Sequence, residues 1–111
     1  MNTIEKKNGS RVLCRYCRSL LAFVLAAARS PSDRMANITQ IQRYCVALTA
    51  NINRWKNSSD HVQRSVYLHS ALHASLTLRE LFRQAVLPEA MNSMLEGAIG
   101  IIEERILLNG K

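Results

Sequence analysis

Residues 38–55 read ITQIQRYCVALTANINRW, and the apolar side chains in this stretch recur at alternating intervals of three and four residues. This spacing places them along one side of an α-helix, with Arg43 and Arg54 on the opposite side. Nearly three heptad repeats predict an amphipathic helix at about 33–57 whose apolar seam faces a core or a partner. The seam residues are Ile38, Ile41, Cys45, Leu48, Ile52 and Trp55.

Three further segments show helical spacing of apolar residues. The first, at about 10–29, is amphipathic along its whole length and ends before a proline, since the residue preceding proline avoids the helical conformation. The third, at about 60–86, has a wide apolar face, and a capping-box sequence leaves open a break near 75–77. The fourth, at about 88–108, begins at a proline, which suits a first helical position. The four segments predict an all-α fold, an antiparallel four-helix bundle.

Length and composition indicate a single domain. The chain has 111 residues, of which 48% are hydrophobic and 21% are charged. One core fits this size, so we expect a helical-bundle domain at 10–109 after a flexible amino terminus at 1–9. The longest uncharged apolar run, Ser19–Ala28, is half of the roughly twenty residues that a membrane span requires. No membrane span is therefore predicted.

Two interpretations of the amino-terminal segment stay open. Basic residues precede the apolar run, and three alanines ending at Ala28 imitate the cleavage site of a secretory signal. The same segment already follows helical spacing. The odd number of cysteines fits a reducing compartment or a fold that does not need disulfides. We therefore expect a retained first helix and a cytoplasmic protein, with secretion after cleavage near Ala28 as the alternative.

Cysteine and histidine patterns suggest only weak candidates for metal ligands. Cys14 and Cys17 form a CxxC, but no second pair accompanies them, and Cys17 lies on a predicted core face. His69 and His73 are one helical turn apart, which is metal-ligand spacing, but no glutamate follows the first histidine as in a zincin. We expect no metal and no cofactor, with His69 and His73 kept as candidates.

The sequence contains none of the common catalytic motifs. It has no glycine-rich phosphate loop and no G-x-S-x-G, and its eight Asp and Glu residues include no convergent pair. We therefore expect a protein that is not an enzyme.

Positive charge is the feature that points to a binding partner. The net charge is +7, and it is unevenly distributed. Residues 1–79 carry 12 Lys and Arg and 3 Asp and Glu, whereas residues 80–111 carry 3 Lys and Arg and 5 Asp and Glu. Arginine dominates, and its guanidinium group pairs bidentately with phosphates and carboxylates. We expect binding to nucleic acid, to a nucleoprotein complex or to an acidic protein surface. The candidate residues on the outer faces of the first two helices are Arg11, Arg15, Arg18, Arg29, Arg43 and Arg54.

A second class of function uses an apolar helix face instead of charge. The seam at 38–55, or the wide face of the third segment, could dock a partner helix in a homo-oligomer or hetero-complex. This alternative predicts an adaptor, a secretion chaperone or an inhibitor.

Overall fold

The amphipathic segments form four α-helices in the computed structural model, which describes residues 3–29, 37–85 and 87–110. The helices are α1 (Thr3–Arg29), α2 (Ile38–Asn57), α3 (His61–Gln84) and α4 (Glu89–Asn109). No strand occurs in the described ranges, so the all-α prediction is confirmed.

The helices are arranged as a closed ring. Each helix contacts its neighbours in the chain, and α1 also contacts α4, whereas no contact joins the diagonal pairs within the described residues. Lys56, near the end of α2, lies beside Arg11 of α1, so these two helices run antiparallel. The result is the predicted four-helix bundle, with dimensions of 46 × 22 × 20 Å.

The heptad seam of α2 lies in the core of this bundle. Five of its six side chains are buried, and Ile38 is partly buried against them. The seam is therefore occupied by the chain's own helices and is not an exposed docking face. The other helices contribute Leu13, Cys14, Cys17, Leu20, Val24 and Ala27 from α1, Leu68, Ala71, Ala74, Leu78, Leu81 and Phe82 from α3, and Leu95, Ile99, Ile102 and Ile106 from α4.

The first helix is longer than predicted. It begins at Thr3, so the expected start near residue 10 is wrong, and residues 3–9 are helical instead of preceding the helix. Glu and Lys are strong helix formers, and one glycine in a helix costs only about 1 kcal/mol, so the helix extends through Gly9. Within the described residues, no helix is both long and apolar enough to cross a bilayer.

The second helix starts later than the predicted residue 33. Asn37 is a turn residue, and its carbonyl accepts the first helical hydrogen bond from the Ile41 amide at 3.0 Å. The Asn37 side chain donates from Nδ2 to the Leu81 carbonyl at 2.9 Å, which ties the start of α2 to the end of α3. The expected cap at Ser32 and Asp33 lies outside the described residues.

The third helix is one continuous element. Asp60 caps it by accepting a hydrogen bond from the Val62 amide at 3.0 Å. At the candidate break, the Ser75 hydroxyl donates to the Leu72 carbonyl at 2.8 Å and the Thr77 hydroxyl donates to the His73 carbonyl at 2.9 Å. Both hydroxyls bond back to the preceding turn, so the helix continues without a cap at 75–77.

Replacing Gly97 with alanine is expected to raise the free energy of unfolding by about 0.5–1 kcal/mol. Gly97 lies inside α4, and a Cβ atom added there would have no neighbour within 4 Å. Alanine therefore adds helix propensity without a clash. Urea titration followed by circular dichroism measures the change, and a lower midpoint for Gly97→Ala than for the parent protein would contradict the expectation.

Candidate nucleic-acid interface

A groove of about 320 Å³ lies between the middle of α1 and the end of α2. Four of its six lining side chains are cationic, and no carboxylate lines it among the described residues. We refer to it as the basic groove. It is lined by Arg11, Cys14, Arg15, Arg18, Ser19 and Lys56.

The helical register of α1 places three arginines in the groove. Arg11, Arg15 and Arg18 follow one another at intervals of four and three residues, so they share one side of the helix and are exposed. At a rise of about 1.5 Å per residue, the row is about 10 Å long. One strand of B-form DNA carries about three phosphates over that length, since successive phosphates are about 3.4 Å apart along the helix axis.

Charge is divided between the two halves of the bundle. The sequences of α1 and α2 together contain nine Lys and Arg residues and one Glu. Those of α3 and α4 together contain four Arg residues and five Glu residues. Carboxylates of α4 pair with arginines of α3: Glu103 accepts from Arg79 at 2.8 and 3.1 Å, and Glu96 lies 3.6 Å from Arg83. Among the ion pairs in the described part of the chain, none involves an arginine of α1 or α2.

The predicted arginines do not all meet at one place. The structure brings Arg11, Arg15 and Arg18 together, whereas Arg29, Arg43 and Arg54 are exposed outside the groove. Arg43 and Arg54 are about 16 Å apart along the side of α2 opposite the seam.

Lys56 lines the basic groove, but it is not among the site residues that the sequence predicts. This residue follows Ile52 by four positions, so it flanks the buried seam of α2 instead of lying opposite it. Only the packing of α1 against that flank brings Lys56 to the arginines. Its place at the flank of the seam is the signal that could have identified it.

Three free cysteines lie at the interface between α1 and α2. All three are buried in the core, and Cys14 lies at its edge, where it also lines the basic groove. Burial raises the pKa of the Cys17 thiol to about 12, and neighbouring Cys14 and Cys45 add to the rise. Burial also raises the pKa of Cys45 to about 12. Both core thiols are therefore neutral at pH 7 and pack as small hydrophobic groups.

The described residues contain no group of three side chains placed to hold a metal ion. The candidate ligands His69 and His73 are exposed on α3. The His69 ring nitrogen Nδ1 lies 2.8 Å from the Ser65 carbonyl.

No protein-family model, curated protein or solved structure matches the chain significantly.

Proposed function

We propose that this protein is a non-enzymatic helical bundle that binds the phosphate backbone of nucleic acid, alone or within a nucleoprotein complex. The observation that carries the proposal is the basic groove, where Arg11, Arg15, Arg18 and Lys56 converge without a carboxylate among the described lining residues. Guanidinium groups donate two parallel hydrogen bonds to a phosphate, and a cluster of them adds counterion release on binding.

The composition of the groove favours contact with the backbone over reading of the bases. No aromatic side chain lines it among the described residues, so it offers no platform on which a base could stack. Contacts to phosphates position a protein without carrying sequence information. Binding is therefore expected to be indifferent to sequence, with Arg29, Arg43 and Arg54 adding contacts outside the groove.

The double substitution Arg15→Gln and Arg18→Gln is expected to weaken binding at least about tenfold at about 100 mM salt. Fluorescence anisotropy with a labelled duplex of about 20 base pairs measures the affinity at several salt concentrations. With four phosphate contacts, a plot of the logarithm of the binding constant against the logarithm of the salt concentration has a slope of about −3.6. Loss of two contacts changes this slope to about −1.8. The slope reports contacts to phosphate specifically, because a general loss of folded protein leaves it unchanged.

A matched control removes the same charge from the other half of the bundle. Arg83 and Arg105 are exposed on α3 and α4, and replacing both with glutamine lowers the net charge by the same amount. This variant is expected to retain the slope of the parent protein. The proposal is wrong if the parent protein shows no association with DNA or RNA at about 50 mM salt, or if the two double variants lose affinity equally.

A protein-binding role, as an adaptor, secretion chaperone or inhibitor, is the second candidate. The exposed side of α3 supports it, because Val62 and Val66 are 71% and 55% exposed. The arginines of the groove would equally suit an acidic protein surface. Pull-down from native-host extract with and without nuclease separates the two functions, since partners held through nucleic acid are released by nuclease and direct protein partners stay bound.

A cytoplasmic location is part of the same proposal. All three cysteines are free thiols, a state that a reducing compartment maintains. Fractionation of the native host with an antibody to the protein tests this, and recovery from the culture medium would favour the secreted alternative.

A further inference from the structure

One side of α3 faces solvent and carries a regular row of apolar and histidine side chains. These residues are spaced four, three, four and three apart, so they lie along a single line on the helix, on the side away from the core. Val62 is 71% exposed, Val66 55% and Leu76 52%, and both histidines are exposed. We refer to this row as the outer stripe, composed of Val62, Val66, His69, His73 and Leu76.

The outer stripe carries no Lys, Arg, Asp or Glu between Val62 and Leu76, and exposed Glu80 continues the same line of α3 one turn later. Within residues 61–78, Arg64 is the only Lys, Arg, Asp or Glu. Arg64 is turned towards α2, where its guanidinium lies 5.2 Å from the Trp55 ring and donates to the Ser58 carbonyl at 3.0 Å. Two copies of a chain with net charge +7 therefore bring few like charges together when they approach through this side of α3.

The two histidines of the outer stripe have the spacing of a pair of metal ligands on one helix. His69 and His73 are four residues apart, which places their Cβ atoms about 6 Å from each other on one side of the helix. A carbonyl oxygen only accepts, so Nδ1 of His69 carries the proton that faces Ser65, and in the neutral ring Nε2 then holds the lone pair that a metal requires. Metal-binding histidines are commonly fixed in this way through their second nitrogen. No third ligand joins them within the described residues of one copy.

The apolar part of the outer stripe is too small to hold a dimer by itself. From Val62 to Leu76 it extends about 21 Å, and with a helix width of about 10 Å it offers roughly 200 Å² per copy. Stable protein interfaces bury about 800 Å² per partner. Apolar contact alone would therefore not hold two copies together through this face, whereas a metal ion shared between them would add a stronger bond.

We propose that a zinc ion joins two copies of this chain through their outer stripes, with His69 and His73 of each copy as the four nitrogen ligands. In this arrangement the twofold axis passes through the metal perpendicular to the two α3 helices, so the helices are antiparallel. Val66 of one copy then lies beside Leu76 of the other, because both residues are five positions from the centre of the histidine pair. The site is incomplete without the second copy. It is independent of nucleic-acid binding, because α1 is diagonal to α3 and the basic groove stays exposed in both copies.

Sedimentation equilibrium of the purified protein with EDTA or with zinc chloride tests this proposal. The expected mass is 12.5 kDa in EDTA and twice that value with zinc, with one zinc ion bound per two chains. The double substitution His69→Ala and His73→Ala is expected to leave the protein monomeric in zinc. Alanine favours the helix at these exposed positions, and circular dichroism verifies that the variant is folded.

His61→Ala is the matched control, because it removes the third histidine of the chain, which lies outside the outer stripe. This variant is expected to dimerise with zinc like the parent protein.

Val66→Glu leaves the four ligands in place and is expected to weaken the zinc-bound dimer at least about tenfold, because it introduces two carboxylates into a small apolar contact. A parent protein that stays at 12.5 kDa in zinc would overturn the proposal. Equal zinc-induced dimerisation of the His69 and His73 double variant would overturn it as well, because the ligands would then lie elsewhere.

Discussion

Replacing Phe82 with alanine is expected to lower the free energy of unfolding by about 3–5 kcal/mol. Phe82 is among the largest of the fully buried side chains, with 0% of its surface exposed. Its removal forfeits the transfer free energy of an aromatic ring and leaves a cavity that rigid helices only partly close. Domains of this size are stable by only about 5–15 kcal/mol, so the variant loses a large share of its stability.

Urea denaturation followed by circular dichroism measures this loss, and two further variants separate packing from other effects. Phe82→Leu retains most of the volume and is expected to cost less than about 1.5 kcal/mol. Leu76→Ala removes an apolar side chain that is 52% exposed on the same helix, and a change within about 0.5 kcal/mol is expected. Equal losses for Phe82→Ala and Leu76→Ala would show that Phe82 does not lie in the core.

Raising the pH from 7 to 10 is expected to destabilise the protein by about 3 kcal/mol through its two core thiols alone. An unfolded thiol ionises near pH 9.0, whereas burial holds the pKa of Cys17 and Cys45 at about 12. Below pH 9 the thiols keep their protons in both the folded and the unfolded chain, so the stability at pH 7 is retained in full. Between pH 9 and 12 only the unfolded chain releases them, so stability falls by about 1.4 kcal/mol per thiol at pH 10.

The double substitution Cys17→Ala and Cys45→Ala isolates this effect from the ionisation of lysine and tyrosine. The variant loses packing and starts from a lower stability at pH 7, but it is expected to lose about 3 kcal/mol less than the parent protein between pH 7 and 10. Urea midpoints at the two pH values supply the comparison. An identical alkaline loss in both proteins would show that the thiols are as ionisable folded as unfolded.

The sequence predicts the core accurately where apolar and polar sides are sharply divided. On α2 the heptad spacing identifies the seam, five of whose six residues are buried. On α3 the apolar face is wider than the two neighbouring helices can cover, so spacing alone does not tell which part is buried. The structure selects Leu68, Leu78 and Phe82 for the core and leaves Val62, Val66 and Leu76 in solvent.

The candidate site is predictable only in the part that belongs to one helix. Arg11, Arg15 and Arg18 form a row because the register of α1 alone determines their side of the helix. Lys56 joins them through the packing of α2 against α1, which depends on how the whole ring closes. At the start of α2, the Asn37 side chain likewise donates to the distant Leu81 carbonyl, a contact that no local pattern contains.

The uneven division of charge between the two halves of the bundle gives the molecule a permanent dipole moment across its short axis. With nine cations on α1 and α2 and an excess of carboxylates on α3 and α4, a nearby polyanion exerts a torque on the protein before contact. Within about 8 Å, the Debye length at physiological ionic strength, this torque turns the α1 and α2 side forward. For the binding proposed above, we expect this orientation before contact to raise the association rate.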